Sequence, residues 1–273
     1  MNKPIMKGKV YLMGAGPGDP DLLTVQAVRI LRSAEVVLHD HLVAPAILNL
    51  IPAWTQVRSV GKRCGSAGIS QEQIHSLLIS AAREGHQVVR LKGGDPLLFG
   101  RVGEEMEALS RAGVDFEVVP GVTSAMGAAA AAKIPLTDRR FASKLVFMSN
   151  HSAGQTNTNW EDVTSPDATH VVYMPGPNYA EIAAKLSAGG LDGRTPCLIV
   201  TRATQAEQQI RRTTLRELAS ERSLPAPALL IVGEVARPLP LQDDEKASSR
   251  KTSEPHEEIL HLTDAPTKSE IIV

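Results

Sequence analysis

Short apolar runs alternate with amphipathic segments through the first half of the chain. The runs at residues 10–14, 35–40, 87–93 and 116–121 have the length of buried β-strands and end near glycine, proline or polar residues. The segments between them repeat apolar residues at helical spacing. This alternation predicts a parallel sheet that helices cover on both faces.

Two of the predicted helices have recognisable starts. Asp19 is expected to cap a helix with Pro20 at its first position, where proline loses no hydrogen bond. Ser70 and Gln73 have the spacing of a capping box and mark the start of a second helix. The predicted core-facing residues are Leu22, Leu23, Ala27, Ile30 and Leu31 in the first helix and Ile74, Leu77, Leu78, Ala81 and Ala82 in the second.

A second series of apolar runs follows a charged connection. The segment IPLTDRRFAS at 134–143 precedes the runs KLVFMSN, THVVYMPG, TPCLIVT and PALLIVG. We therefore expect two α/β domains, one over 8–135 and one over 144–237, with residues 136–143 connecting them. Residues 238–273 are polar and almost free of aromatic residues, which predicts a disordered tail.

Composition excludes several classes of function. The 273 residues are 42% apolar and 22% charged, with a formal net charge of -1, so they offer no basic surface for nucleic acid. Cys64 and Cys197 belong to no metal-ligand pattern, and no metal is expected. Neither a signal peptide nor a membrane-spanning stretch is recognisable. We expect a cytoplasmic protein that acts on a small molecule.

Three loops after predicted strands combine glycine, proline and polar residues. They are GAGPGDP at 14–20, KGGDPLLFGR at 92–101 and PGVTSA at 120–125. Glycine allows a ligand to approach the backbone closely, and parallel strands place their ligand sites at their carboxyl ends. The three loops therefore predict one shared ligand cavity.

The first of these loops also admits a dinucleotide-binding interpretation. Gly14 and Gly16 match the start of a G-x-G-x-x-G pattern, and Asp40 stands where such folds carry a ribose-binding carboxylate. Asp19, however, occupies the place of the last glycine, and Pro17 removes an amide that a pyrophosphate site needs. A nicotinamide-dependent oxidoreductase remains the alternative at this point.

Six motifs follow one another along the chain: GAGPGDPDLLT, VGKRCG, RLKGGDPLLFGR, GEE, VVPGVTSA and IPLTDR. In this order they resemble the uroporphyrinogen-III C-methyltransferases, a branch of the tetrapyrrole methylases, over about residues 8–237. The resemblance implies a homodimer of chains with two α/β domains of the tetrapyrrole methylase type and S-adenosylmethionine in the cleft between the domains. It implies methylation of uroporphyrinogen III at C-2 and C-7, through precorrin-1 to precorrin-2, for sirohaem, cobalamin or haem d1 synthesis.

The resemblance leaves two further alternatives, a methylase of another tetrapyrrole and a non-catalytic paralogue that binds the cofactor. The additional dehydrogenase and chelatase domain of fused relatives is not recognised in the 273 residues, and we expect a stand-alone methylase.

The same resemblance assigns roles to individual residues. Asp40 and Lys62 are expected in proton transfer, while Arg101 and Glu104 are expected to face the substrate. Because a pyrrole carbon attacks the sulfonium methyl group directly, the chemistry needs orientation and exclusion of water rather than a protein nucleophile. The predicted cofactor contacts, many of them through backbone atoms, are Pro17, Gly93, Gly94, Asp95, Leu98, Thr123, Ser124, Met174, Ala203 and Ala228.

The motifs assigned to the substrate depart from the family more than the cofactor loops do. His39 and His41 flank Asp40 where the family has tyrosine and arginine, and TDRR at 137–140 replaces THRD. Arginine binds carboxylates in a bidentate way, so Arg139 is a further candidate for contact with the substrate carboxylates. Histidine is only partly charged near neutral pH, and a changed substrate preference would originate at these two segments.

Overall fold

The first half of the chain forms a parallel sheet. In the computed structural model, which describes residues 8–61, 69–151 and 159–238, this sheet has five strands. They are β1 (Lys9–Gly14), β2 (Val36–His39), β3 (Gln56–Ser59), β4 (Gln87–Lys92) and β5 (Asp115–Val119). The spatial order is β3-β2-β4-β1-β5, and every neighbouring pair is parallel. The parallel sheet expected from the sequence is confirmed.

Helices cover both faces of this sheet. On one face, Val10, Leu12 and Val88 pack with two helices of the chain, and on the other Met13 and Val89 pack with two more. The helices of the first half are α1 (Val25–Leu31), α2 (Pro45–Leu48), α3 (Gln71–Arg83), α4 (Val102–Arg111) and α5 (Ser124–Ala132).

The predicted start at Asp19 and Pro20 is confirmed, but the helix that begins there is not the long one expected, whereas the second predicted helix is confirmed from its start. Asp19 caps only a short 3-10 helix, Pro20–Leu22, and α1 begins separately with Thr24 as its N-cap. Each capping side chain accepts a hydrogen bond from the amide of its own turn, so the segment forms two separate helices instead of one. At α3 the capping box of Ser70 and Gln73 is formed as predicted.

The second half of the chain forms a mixed sheet. Its strands are β6 (Lys144–Ser149), β7 (Ala168–Tyr173), β8 (Pro196–Thr201), β9 (Gln209–Thr214) and β10 (Ala228–Val232). Among the described residues their order is β6-β7-β10-β8-β9, with β6 and β7 parallel and the remaining pairs antiparallel.

The two faces of the second sheet have different covers. One face packs against α7 (Tyr179–Ala188), with the short helices α6 (Trp160–Val163) and α8 (Leu215–Leu218) beside it. The other face packs against α5, although α5 directly follows the first sheet in the chain. Alanine side chains let this helix approach the strands closely, and residues 8–238 therefore belong to one compact unit.

Two strands, β3 and β9, were absent from the sequence prediction. Both lie at a sheet edge, and the side chains of β3 are exposed throughout. An edge strand with both faces near solvent needs no apolar alternation, so it leaves little periodic signal.

The predicted domain boundaries remain a prediction, and residues 239–273 of the expected tail lie outside the described residues. Within the part of the chain that the structure describes, no helix has both the length and the apolar character needed to cross a membrane.

His170 gives the second sheet a testable pH dependence. The side chain is buried in β7, where its Nε2 accepts a hydrogen bond from the Ser165 amide at 3.2 Å, and burial lowers its pKa below the ordinary value of 6.5. Because the unfolded chain binds this proton more readily, the stabilisation is complete above about pH 6.5 and is lost as the pH falls further.

We expect His170→Gln to flatten the pH dependence of the free energy of unfolding between about pH 7.5 and about pH 5.5, measured by urea denaturation. The glutamine oxygen can still accept the Ser165 amide, whereas His151→Gln at an exposed site serves as the control. Identical slopes for wild type and His170→Gln would contradict the prediction.

Candidate functional site

Three loops meet because the strands that precede them are neighbours. Loop 1 (residues 14–20) follows β1, loop 2 (residues 92–101) follows β4 and loop 3 (residues 120–125) follows β5. In the sheet, β1 lies between β4 and β5 and pairs with both in parallel, so all three loops leave the same edge. The sheet thus brings together the loops that the sequence singled out.

Glycine backbones allow the three loops to touch. Gly16 and Gly94 exchange two backbone hydrogen bonds, of 3.1 Å and 2.8 Å. A Cβ atom at Gly121 would lie 2.4 Å from the Gly94 carbonyl oxygen, and one at Gly14 would lie 2.6 Å from the same atom. Any larger residue at Gly14 or Gly121 would push loop 2 away from its neighbours.

Asp95 joins loop 2 to loop 3. Its Oδ1 accepts the Leu97 amide at 2.8 Å and its Oδ2 accepts the Gly121 amide at 2.9 Å. Both carboxylate oxygens are therefore engaged by backbone donors. Asp95 lines the cavity described below, and its hydrogen bonds fix the shape of the loops around it.

Residues of the second half close the other side. The Tyr173 hydroxyl, at the end of β7, lies 2.6 Å from Thr123 Oγ1 and accepts the Ala125 amide at 3.3 Å. Burial raises the pKa of this phenol, which stays protonated and able to donate. After β8, Thr204 Oγ1 accepts the Asp19 amide at 3.1 Å. Loops 1 and 3 are thus both tied to the second half.

A cavity of about 190 Å³ lies between these loops and the ends of β7, β8 and β10. All ten residues predicted as cofactor contacts line it, and so does Asp40. Their roles as contacts stay predictions. The other residues that line it are Gly16, Leu42, Lys92, Phe99, Gly100, Tyr173, Val200, Arg202, Gln205, Pro227 and Leu229.

Left-handed backbone conformations cluster around this cavity. Phe99, Met174 and Arg202 line it with φ angles of 54°, 49° and 46°, values that L-residues adopt only at an energetic cost. Arg101, with φ 54°, follows directly after loop-2 residues that line the cavity. Strained backbone held in place by its surroundings is typical of ligand-binding sites.

Asp40 belongs to a buried charge network that the sequence prediction missed. Arg90 donates to Asp40 through Nη2 and to Glu105 Oε1 through Nε at 2.9 Å. Lys92 Nζ lies 3.0 Å from the same Glu105 oxygen and 3.9 Å from Asp40 Oδ2. Arg90, Lys92 and Glu105 are almost fully buried, whereas the Asp40 side chain is 28% exposed toward the cavity.

A signal for this network is present in the sequence. Arg90 and Lys92 alternate within a strand predicted to be buried on both faces, so both point to one side of the sheet. Two cations in such a strand require buried anions nearby. That requirement would have led to Glu105, the residue beside the predicted Glu104.

Of the other predicted catalytic residues, Arg101 and Glu104 do not line the cavity. Arg101 and Glu104 form an exposed bidentate pair at the start of α4, with both nitrogen–oxygen distances 2.8 Å. Hydrogen bonding within this pair raises the pKa of Arg101 and lowers that of Glu104. Arg139 is exposed in the connection before β6, and Lys62 lies outside the described residues.

The geometry of loop 1 does not favour the dinucleotide interpretation. The Ala15, Gly16 and Asp19 amides donate to protein acceptors, namely Lys92 O, Gly94 O and Thr204 Oγ1. The first α-helix after the loop begins only at Val25. A pyrophosphate site needs free amides at a helix start, and loop 1 instead shapes the cavity wall. The described residues contain no group of three or more histidine, cysteine, aspartate or glutamate side chains arranged to hold a metal ion.

The hydrogen bonds of Asp95 make a testable contribution to stability. We expect Asp95→Asn to lower the free energy of unfolding by about 1–3 kcal/mol, because asparagine has one acceptor oxygen for the exposed Leu97 amide and the partly buried Gly121 amide. Urea denaturation measures the loss. The exposed Asp192→Asn, which also accepts a nearby amide, is the control, and an equal loss in both variants would contradict this role.

Comparison with known proteins agrees with this architecture. Residues 9–219 match the family model described as Tetrapyrrole (Corrin/Porphyrin) Methylases. A solved structure of uroporphyrin-III C-methyltransferase from Thermus thermophilus, complexed with S-adenyl homocysteine, has a TM-score of 0.74 and 43% identity, covering 84% of this chain and 98% of that one.

Curated relatives have two kinds of name. Uroporphyrinogen-III C-methyltransferase of Paracoccus denitrificans is 44% identical over 234 residues, covering 84% of this chain and 82% of that protein. Siroheme synthase 1 of Yersinia enterocolitica is 45% identical over 231 residues, covering 84% of this chain but 49% of that protein. The chain thus spans about half the length of the siroheme synthases it matches.

The two-sheet α/β fold and the resemblance seen in the sequence motifs are both confirmed by these matches. The chain belongs to the tetrapyrrole (corrin/porphyrin) methylase family.

Proposed function

We propose that the protein transfers methyl groups from S-adenosylmethionine to C-2 and C-7 of uroporphyrinogen III, giving precorrin-2 through precorrin-1. The observation that carries the proposal is the cavity, where loops 1, 2 and 3 meet the ends of β7, β8 and β10 and every predicted cofactor contact is present. The 44% identity to a uroporphyrinogen-III C-methyltransferase over most of both chains supports this substrate.

The cavity has groups suited to S-adenosylmethionine. Gly93 and Gly94 bring the backbone of loop 2 to the cavity without bulky side chains, and Ala203 and Ala228 leave room on the opposite wall. Thr123 and Tyr173 add hydroxyl groups, and Met174 adds a polarisable thioether. When bound there, the cofactor supplies an electrophilic methyl group on a positively charged sulfur.

The protein's own task is orientation and proton removal. Transfer of the methyl group with loss of S-adenosylhomocysteine would leave the positive charge on the tetrapyrrole, so the protein has to hold the ring carbon in line with the methyl group. One proton must then leave the ring system. Of the two described aspartates that line the cavity, Asp95 already accepts backbone amides with both oxygens, so Asp40 is the proposed acceptor of that proton.

Cationic side chains suit the eight carboxylates of the substrate. Arg101 is exposed with its guanidinium held by Glu104, so the pair can open to exchange one carboxylate for another. Lys62 and Arg139 are further proposed contacts. His41 beside Asp40 stands where the family has arginine and is proposed to bind substrate carboxylates less tightly than that arginine would.

Cellular context is part of the proposal. We propose a homodimer in the cytoplasm, with precorrin-2 passed to sirohaem, cobalamin or haem d1 synthesis, and the names of the siroheme synthases support the first of these. Light scattering of the purified protein tests the dimer, since a monomer at micromolar concentration would contradict it.

Cofactor binding is tested by calorimetry. We expect purified protein to bind S-adenosylhomocysteine with a dissociation constant of about 1–100 μM and NAD not at all. Gly121→Ala is expected to abolish the binding, because the added Cβ would lie 2.4 Å from the Gly94 carbonyl oxygen and displace loop 2. Gly103→Ala, at an exposed glycine of α4 where a Cβ meets no atom within 4 Å and φ is not left-handed, is the matched control for the substitution. Saturable NAD binding would favour the oxidoreductase instead.

Turnover is tested under anaerobic conditions with uroporphyrinogen III and S-adenosylmethionine. We expect Asp40→Asn to lower kcat by about 100-fold or more while leaving S-adenosylhomocysteine affinity nearly unchanged, because an amide cannot accept the proton. Arg101→Ala is expected to lower kcat/KM for uroporphyrinogen III about 10-fold or more, with Arg111→Ala on α4 as the control.

The product distinguishes the remaining alternatives. Doubly methylated precorrin-2 supports the proposal, whereas methylation of a different tetrapyrrole would assign another substrate. Cofactor binding without any methyl transfer would identify a non-catalytic paralogue.

A further inference from the structure

We infer that Arg90 is a positioning residue for Asp40, and that Glu105 holds Arg90 in place from the far side. The inference rests on the proposed function, because it assigns to Asp40 the task of accepting a proton. Neither Arg90 nor Glu105 lines the cavity, so both act through Asp40 and through Lys92, which does line it.

The guanidinium of Arg90 bridges the two carboxylates directly. Nη2 donates to Asp40 Oδ1, and Nε donates to Glu105 Oε1 at 2.9 Å. Nη1 is directed at the carbonyl oxygens of Leu38 and Leu91, both at 3.4 Å. These carbonyls belong to β2 and β4, so the rigid sheet fixes the plane of the guanidinium. A planar fork held on one side presents its remaining donor to Asp40 in a fixed direction.

Burying these charged side chains costs free energy, and packing of the core alone gives no reason to bury them. The side chains of Arg90 and Glu105 are 2% and 0% exposed, and taking two charges out of water is expensive even when they pair. Among the described residues, Glu105 Oε2 has no hydrogen-bond partner, while Oε1 receives both Arg90 and Lys92. Glu105 therefore serves the two cations of β4, and the network is electrically neutral when Asp40 and Glu105 are both ionised.

Asp40 needs such a support because of its location. Its amide donates to Leu91 O at 3.0 Å, which fixes the backbone at the end of β2, but its side chain reaches the partly open cavity. Among the residues that the structure describes, the charged and titratable groups around it are His39 and His41 on its own loop, Arg90 and Lys92 on β4, and Glu105 on α4. Of these, Arg90 alone donates a close hydrogen bond to the Asp40 carboxylate. Misplacing a catalytic group by about 1 Å is enough to slow a reaction greatly.

The test compares two conservative variants with a matched control. Arg90→Lys keeps the charge but removes the fork, and Glu105→Gln keeps the shape of the side chain but removes its charge. Each is expected to lower kcat about 10-fold or more, with KM for S-adenosylmethionine changed less than about twofold. Glu107→Gln, on the exposed side of α4 where Glu107 pairs with Arg111, is expected to leave kcat unchanged.

A double-mutant cycle separates positioning from a general structural role. In an Asp40→Asn background, adding Arg90→Lys is expected to lower kcat by less than about a further twofold. The residual turnover is measured by transfer of a radioactive methyl group. The inference is overturned if Arg90→Lys lowers kcat by the same factor with and without Asp40→Asn. It is also overturned if Arg90→Lys alone leaves kcat at the wild-type value.

Crystal structures of the variants supply a readout that does not depend on turnover. The Asp40 carboxylate is expected to move by about 1 Å or more in Arg90→Lys relative to wild type, with loops 1 to 3 unchanged. An Asp40 carboxylate in the same place in both proteins would overturn the inference. Absence of turnover in the wild type would contradict the proposed function alone, and the displacement of Asp40 would still decide the role of Arg90. If Arg90→Lys does not fold, the same comparison with Glu105→Gln decides it.

Discussion

Three polypeptide segments touch at the carboxyl edge of the first sheet, and the cavity depends on that contact. Gly14, Gly94 and Gly121 approach so closely that the side chain of any other residue at Gly14 or Gly121 would separate them. The contact fixes where loop 2 reverses direction, and Asp95 then fastens it to loop 3. Loop 2 supplies many of the residues that line the cavity, and residues of the second half complete the lining.

The second sheet supplies those walls through a small number of polar contacts. The Tyr173 hydroxyl meets the start of α5, and Thr204 and Gln205 bind the backbone of loop 1. The left-handed conformations of Met174 and Arg202 occur where these contacts turn the chain toward the cavity. Such strained conformations persist where the surrounding structure holds the backbone in place.

The sequence predicted the fold most successfully where a pattern had a local cause. Apolar runs located the buried strands, the capping box located α3, and glycine-rich motifs after neighbouring strands located the cavity. Prediction failed where the cause was tertiary. Nothing local in Gln56–Ser59 marks an edge strand, because its side chains need no core. Apolar spacing alone predicts one helix after Asp19, because it does not show that Thr24 caps a separate second helix.

The charge network was the largest omission among the site residues, and its reason is instructive. The apolar pattern predicts a buried strand at β4 even though the strand contains Arg90 and Lys92. Burying two cations there requires an anionic partner for each. The partner Glu105 lies on the buried face of α4 at helical spacing from Val102 and Leu109, whereas Glu104 lies outside that face and is about half exposed. Helical spacing combined with the charge requirement of β4 would therefore have selected Glu105.

Helix α5 has a place in the chain that differs from its place in the core. It is linked to β5 of the first sheet, yet its alanines fill the space over β7, β8 and β10 together with Ile134, Leu136 and Ala142. The boundary of packing therefore lies before residue 124, while the polar connection lies after residue 132. A chimera that joins halves of two related enzymes would need to carry this helix with the second sheet, since a junction in the connection would pair one parent's helix with the other parent's strands.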